Sequence, residues 1–130
     1  LSWAIPAAIN QVKLRIVEAT LTINNNNATL PNGVELWVFS ESVGNQNDGA
    51  AFALTPAEML KRVAVITFSS IVIGNVSSTV GTGCVGRVVA VGELVTMTSS
   101  STTLYGILAL TSTYTPGASE LWTIGLQLSD

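Results

Sequence analysis

A chain of 130 residues can bury one core without staples, yet only 10% of its residues are charged while 48% are hydrophobic, against a usual charged share of about 25%. The net charge is −3, and the five cations (Lys13, Arg15, Lys61, Arg62 and Arg87) fall in three separated places, which excludes the concentrated positive patch of a nucleic-acid binder. A lone Cys84 and no histidine exclude an intrachain disulfide and all but exclude zinc, and no apolar run approaches the roughly 18 residues of a membrane span.

Residues 1–10 read as an extended N-terminal arm, because Pro6 discourages regular pairing. Trp3 and Ile5 are apolar for an arm and are expected to dock, on this subunit or on a neighbour. The chain opens on Leu1 rather than Met, which implies residues upstream, and Leu1–Ile5 lacks the basic start and apolar core of a signal peptide.

Residues 11–130 read as a single domain. Gln11–Ile23 is a long strand with Val12, Leu14 and Ile16 on one face, while Val17, Ala19, Leu21 and Ile23 have the opposite parity. The slip near Val17 and Glu18 predicts a β-bulge, or a strand passing between sheets. Residues 24–33 are an Asn-rich connection. The following stretch, Asn32–Ser40, alternates Val34, Leu36 and Val38 against Glu35, Trp37 and Phe39. It reads as a central strand covered on both sides and hairpin-paired with the strand before it.

After a polar loop at 43–49 comes the one helical signal. Thr55 is an N-cap, Pro56 takes the first helical position, and Glu58 closes a capping box. Strands are then predicted over Val63–Phe68, Ile71–Ile73, Val76–Val80, Cys84–Val91, Glu93–Thr98, Leu104–Thr111 and Glu120–Leu128, the last burying Trp122, Ile124, Leu126 and Leu128. No strand–helix alternation is present. The fold class is therefore all-β, a two-sheet β-sandwich of jelly-roll type with one short helix.

Chemical motifs are sparse. Gly81–Gly86 matches G-x-G-x-x-G, but strand-forming Val85, Val88 and Val89 follow instead of a helix. Without histidine, Ser–His and Cys–His catalysis fail. No spacing singles out a carboxylate pair among Glu18, Glu35, Glu41, Asp48, Glu58, Glu93 and Glu120. Asn45–Gly49 holds calcium-type oxygens with a single carboxylate, thin support against an ordinary loop. Asn27–Thr29 and Asn75–Ser77 are glycosylation sequons that matter only in a secreted eukaryotic protein. Trp37 and Trp122 sit in patterned strands and read as core, leaving Trp3 as the exposed candidate for stacking on a sugar. The expectation is no enzyme, no cofactor and no metal.

Several segments together resemble a known family. These are Val34-Glu35-Leu36-Trp37-Val38-Phe39, Asn47-Asp48-Gly49-Ala50-Ala51-Phe52-Ala53-Leu54, Leu104-Tyr105-Gly106-Ile107-Leu108, Thr113–Leu121 and the closing Ile124–Asp130. The chain is similar in them to capsid cement or decoration proteins of tailed bacteriophages, jelly-roll head proteins encoded near the major capsid protein. The resemblance covers most of residues 11–130 through structural signatures and carries no catalytic residue. It implies a homo-oligomeric (dimeric or trimeric) virion protein, made in the bacterial host cytoplasm, that binds the outside of an icosahedral head. There it would stabilise the major capsid protein shell by bridging capsomers, with neither nucleic acid nor membrane as partner. Low charge and an apolar arm suit such contact. The expected partner contacts are Trp3 and Ile5 in the arm, with Asn25, Asn26, Asn45 and Asn47 in the loops. The alternative is a carbohydrate- or ligand-binding sandwich of a phage fibre or secreted protein, which should expose coplanar aromatics. A tail-tube or head-completion protein is a weaker third reading, since the long hairpin or helix common in those is not found.

Overall fold

The computed structural model describes residues 1–25, 33–44, 53–68, 72–73, 82–88, 92–97, 101–110, 112–115 and 121–130, with backbone alone for 24–25, 72–73 and 82–88. In chain order the elements are β1 (Ser2–Ala4), β2 (Lys13–Asn25), β3 (Val34–Phe39), α1 (Pro56–Met59), β4 (Arg62–Phe68) and β5 (Val72–Ile73). They continue with β6 (Thr82–Val88), β7 (Glu93–Thr96), β8 (Thr103–Leu110) and β9 (Leu121–Ser129). Two antiparallel sheets result. Sheet A has the order β1-β8-β3-β4, and sheet B the order β5-β6-β2-β7 with β9 on the other edge of β2. Among the described residues, the predicted all-β two-sheet sandwich with one short helix is what forms. Its core is built from the inward faces of both sheets, with Leu14, Ile16, Leu21 and Ile23 from sheet B meeting Val34, Leu36, Val38 and Leu104 from sheet A.

Strand β2 organises sheet B. Leu14, Ile16, Ala19, Leu21 and Ile23 all have no exposed surface, although strict alternation cannot place the first two and the last three on one face. The register with β9 runs Ile16↔Leu128 and then Glu18↔Gln127, so Val17 is an extra residue. This bulge restores the inward parity, and β2 stays within one sheet. Its other edge is divided at the same place: β7 pairs with Lys13–Ile16, and β6 pairs with Ala19–Asn25. Gly92 stands immediately before β7, with a φ of 57° in the left-handed region that favours glycine. Arg15 Nη1 donates to the Gly92 carbonyl at 2.7 Å.

One expectation is corrected. Strand β3 is central, but its neighbours are β4 and β8 rather than β2, which lies in the opposite sheet. A period of two shows which side chains of a strand face inward and carries no information about which strand lies alongside. A second correction concerns the arm. Ser2–Ala4 is the edge strand of sheet A, with Trp3 opposite Leu104, and the ladder is extended by Gly106 N–H to the Leu1 carbonyl at 2.9 Å and Ile5 N–H to the Thr102 carbonyl at 2.8 Å. Pro6 follows the last of these bonds, where its missing N–H costs nothing.

The helix is a single turn and depends on its caps. Glu58 N–H donates to Thr55 Oγ1 at 3.2 Å, and Thr55 N–H returns a bond to Glu58 Oε2 at 2.8 Å, which is the expected capping box. The other carboxylate oxygen accepts from Gly44 N–H at 2.8 Å, tying the segment after β3 to the helix. Backbone donation from Thr55, then from Gly44, then from the Thr55 hydroxyl holds the Glu58 carboxyl below the ordinary carboxylate range. A group whose pKa is lowered on folding contributes above its unfolded pKa and loses that contribution as pH falls through the folded one. The Gly44 and Thr55 amide resonances should therefore shift together on acidification, with one midpoint below that of a free glutamate. Separate midpoints, or one at the ordinary value, contradict the staple.

Candidate interaction face

The inward residues of sheet A leave the opposite parity of each strand to the outer face, and cross-strand register arranges these in rows. Tyr105, Phe39 and Arg62 form the first row, Ile107, Trp37 and Val65 the second, and Ala109, Glu35 and Thr67 the third. Arg62 joins the first row because the register slips between Val38 and Phe39, so Val63 is passed over. Phe39 is fully buried and Ala109 nearly so, yet neither belongs to the central cluster. Trp37, Tyr105, Ile107 and Glu35 are half-buried, while Arg62 and Thr67 are exposed and Val65 is 38% exposed.

At the centre of the face Trp37 is held from two sides. Its indole N–H donates to Glu35 Oε2 at 2.9 Å, two residues back on the same strand. The Arg62 guanidinium carbon stands 4.7 Å from the Trp37 ring centroid, a cation–π contact. Beside it, Lys61 Nζ pairs with Glu41 Oε2 at 3.0 Å. Trp37 is thus an outer-face residue and not the core residue expected from its strand pattern. With Arg62 over the ring it also makes a poor platform for a sugar.

The outer face of sheet B has a different chemistry. Glu18, Thr20 and Thr22 of β2 lie opposite Gln127, Gly125 and Thr123 of β9, Lys13 and Arg15 lie opposite Thr96 and Leu94 of β7, and exposed Leu94 and Leu121 sit toward opposite ends of β2. A shallow depression of about 190 Å³ lies there, lined by Glu18, Thr20, Gly125, Leu126 and Gln127. Its floor is Gly125, where a side chain would meet Thr20 Oγ1 at 2.8 Å. One carboxylate among hydroxyl and amide groups offers hydrogen bonds and no acid–base pair. Among the described residues, the outer face of sheet A therefore carries the aromatic side chains, and that of sheet B is mostly threonine and charge with two exposed leucines.

The expected contact residues are placed as follows. Trp3 and Ile5 both point inward. Ile5 is 5% exposed within the core, and Trp3 packs against it while its indole N–H donates to the Ile124 carbonyl of β9 at 3.1 Å. Trp3 thus ties the edge of sheet A to the edge of sheet B. Of the two places where the arm was expected to dock, the structure shows the chain's own sandwich, since apolar side chains that can reach their own core bury there. Asn25 ends β2, opposite Thr82 of β6, whereas Asn26, Asn45 and Asn47 lie outside the described residues, as do the Asn45–Gly49 loop and both sequons. The glycine run at 82–86 lies within β6 and not at a helix start. Trp122 is half-buried on the core side, with its ring edge-on to Tyr114 at 5.8 Å.

The face was missed in the sequence although its signal is present. Glu35, Trp37 and Phe39 alternate in β3, and Tyr105, Ile107 and Ala109 alternate in β8. Two neighbouring strands with apolar residues at both parities mark a sheet with a sticky outer surface as well as a core. Compared with known proteins, the chain matches no family model, no curated protein and no solved structure.

Proposed function

We propose that this chain is a structural virion protein, a jelly-roll-type capsid cement or decoration protein that binds the outside of a phage head and bridges neighbouring capsomers. Its partners in this reading are the major capsid protein and further copies of itself, and its role is structural rather than catalytic. The observation that carries it is the contrast between the two outer faces: Trp37, Tyr105, Ile107 and Val65 on one, threonine and charge on the other. A protein working alone in water gains nothing from an aromatic outer face. One that works in a packed assembly gains its attachment from it, and many weak contacts add up over a shell. The resemblance of its segments to capsid decoration proteins points the same way.

Co-sedimentation of the purified chain with heads that lack it tests the reading. Saturable binding at a fixed number of copies per shell, with the heads becoming harder to disrupt by heat, is the expected result. No binding to heads of any expansion state overturns it.

A further inference from the structure

Residues 1–9 join the two sheets along one side of the sandwich. Gly106 N–H of β8 donates to the Leu1 carbonyl at 2.9 Å, and Ile5 N–H donates to the Thr102 carbonyl at 2.8 Å. Between these bonds the Trp3 indole N–H reaches the Ile124 carbonyl of β9, in the opposite sheet, at 3.1 Å. Its ring lies over Gly106, where an added Cβ would stand 2.6 Å from Cη2 and Cζ3. The segment then turns, with Ile9 N–H donating to the Pro6 carbonyl at 2.9 Å. At Asn10 it is fastened to the body again. Asn10 Oδ1 accepts from Val12 N–H at 2.9 Å and Lys13 N–H at 3.0 Å, while Asn10 N–H donates to Asp130 Oδ1 at 2.7 Å.

This segment is held less firmly than the sheets it joins. Ile5 is its one buried side chain, Trp3 and Ile9 are half-buried, and the other six residues are exposed. Strand β2 by contrast buries Leu14, Ile16, Ala19, Leu21 and Ile23 completely. Few buried apolar contacts and exposed backbone hydrogen bonds mark the parts of a protein that open before the whole unfolds. As an edge strand, β1 can leave by breaking its pairing with β8 alone, and the order β8-β3-β4 stays intact. Its anchors at Leu1, Trp3 and Ile5 stand at alternate positions of one extended stretch, so lifting the strand breaks them together.

We propose that residues 1–9 form a strap that opens and closes as one unit, turning at Asn10, while both sheets stay paired. Closed, the strap covers the β8 edge from Thr103 to Gly106 and fills the slot over Gly106. Open, it uncovers that edge and that slot together, and an uncovered strand edge is a template for pairing with another chain. The strap thus decides when this side of the sandwich can pair. It stands independently of shell binding, because it requires no capsid.

Native-state hydrogen exchange of the full chain, with urea added below the unfolding transition, tests it. The Ile5 amide, the Gly106 amide and the Trp3 indole N–H link the strap to Thr102, to β8 and to β9. All three should report one opening free energy, smaller and less urea-dependent than that of the β2 amides between β6 and β9. Trp3→Phe keeps a ring over Gly106 and removes the bond to Ile124. It should speed exchange at the Ile5 and Gly106 amides alike, by the roughly 2- to 10-fold that one hydrogen bond is worth. Val17→Ala weakens the body of the sandwich and leaves the strap alone. It should speed the β2 amides about 5-fold with the three strap protons unchanged. Strap protons that share the urea dependence of β2, three different opening free energies, a Trp3→Phe effect at one amide only, or strap protons that follow Val17→Ala each overturn the assignment.

Discussion

Deleting Val17 should cost the fold about 3–6 kcal/mol, the loss expected when two fully buried aliphatic side chains are returned to water. Val17 is the residue by which β2 exceeds its partner β9. Without it, Leu14 and Ile16 cannot face inward while Ala19, Leu21 and Ile23 do so, and all five are now completely buried. Either the first part of the strand turns outward, bringing Lys13 and Arg15 toward the core, or the second part does, at greater cost. Domains of this size are stable by about 5–15 kcal/mol in all, so the deletion should leave a chain close to unfolding at room temperature. Val17→Ala keeps the residue count and should change stability by only about 1 kcal/mol. Urea denaturation of the two variants separates register from side-chain packing. Equal midpoints would mean that the bulge is dispensable.

Gly106→Ala should destabilise the chain by about 1–3 kcal/mol, the usual range for overpacking, because an added Cβ would lie 2.6 Å from Cη2 and Cζ3 of Trp3 and 3.0 Å from Leu36 Cδ1. Trp3→Ala should cost about 3 kcal/mol by removing a packed indole. It also removes the bond that ties β1 to the Ile124 carbonyl across the gap between the sheets. The informative quantity is the coupling. With Trp3 already truncated, most of the clash at Gly106 disappears, so the double variant should be more stable than the sum of the single losses by at least about 1 kcal/mol. Additive losses would mean that the tryptophan does not occupy the space the glycine leaves.

The parts of this fold written in local sequence were legible. The bulge at Val17 follows from a change of parity inside one apolar strand, and the α1 capping box follows from Thr55, Pro56 and Glu58, whose hydrogen bonds are made as their spacing requires. Strand β9 presents Trp122, Ile124, Leu126 and Leu128 to the core as its alternation demands. What depends on the choice of neighbour was not legible. The alternation of β3 fixes Leu36 as inward but is silent on whether β2 or β8 lies alongside. Trp3 and Ile5 left open whether the arm docks on its own sandwich or on a neighbour, because nothing near them in sequence shows that Gly106 has left room for an indole. Trp37 looked like core because a strand with two apolar faces reads the same whether its second face is covered or displayed.

Under the proposed function the two outer faces differ in purpose, one for contact and one for water. Hydroxyl-radical footprinting, read residue by residue on the free chain and on the chain mixed with heads, tests this. Trp37, Tyr105 and Val65 should lose reactivity on association, while Leu94 and Leu121 on sheet B keep theirs. Protection of Leu94 and Leu121 with Trp37 unchanged would contradict the account.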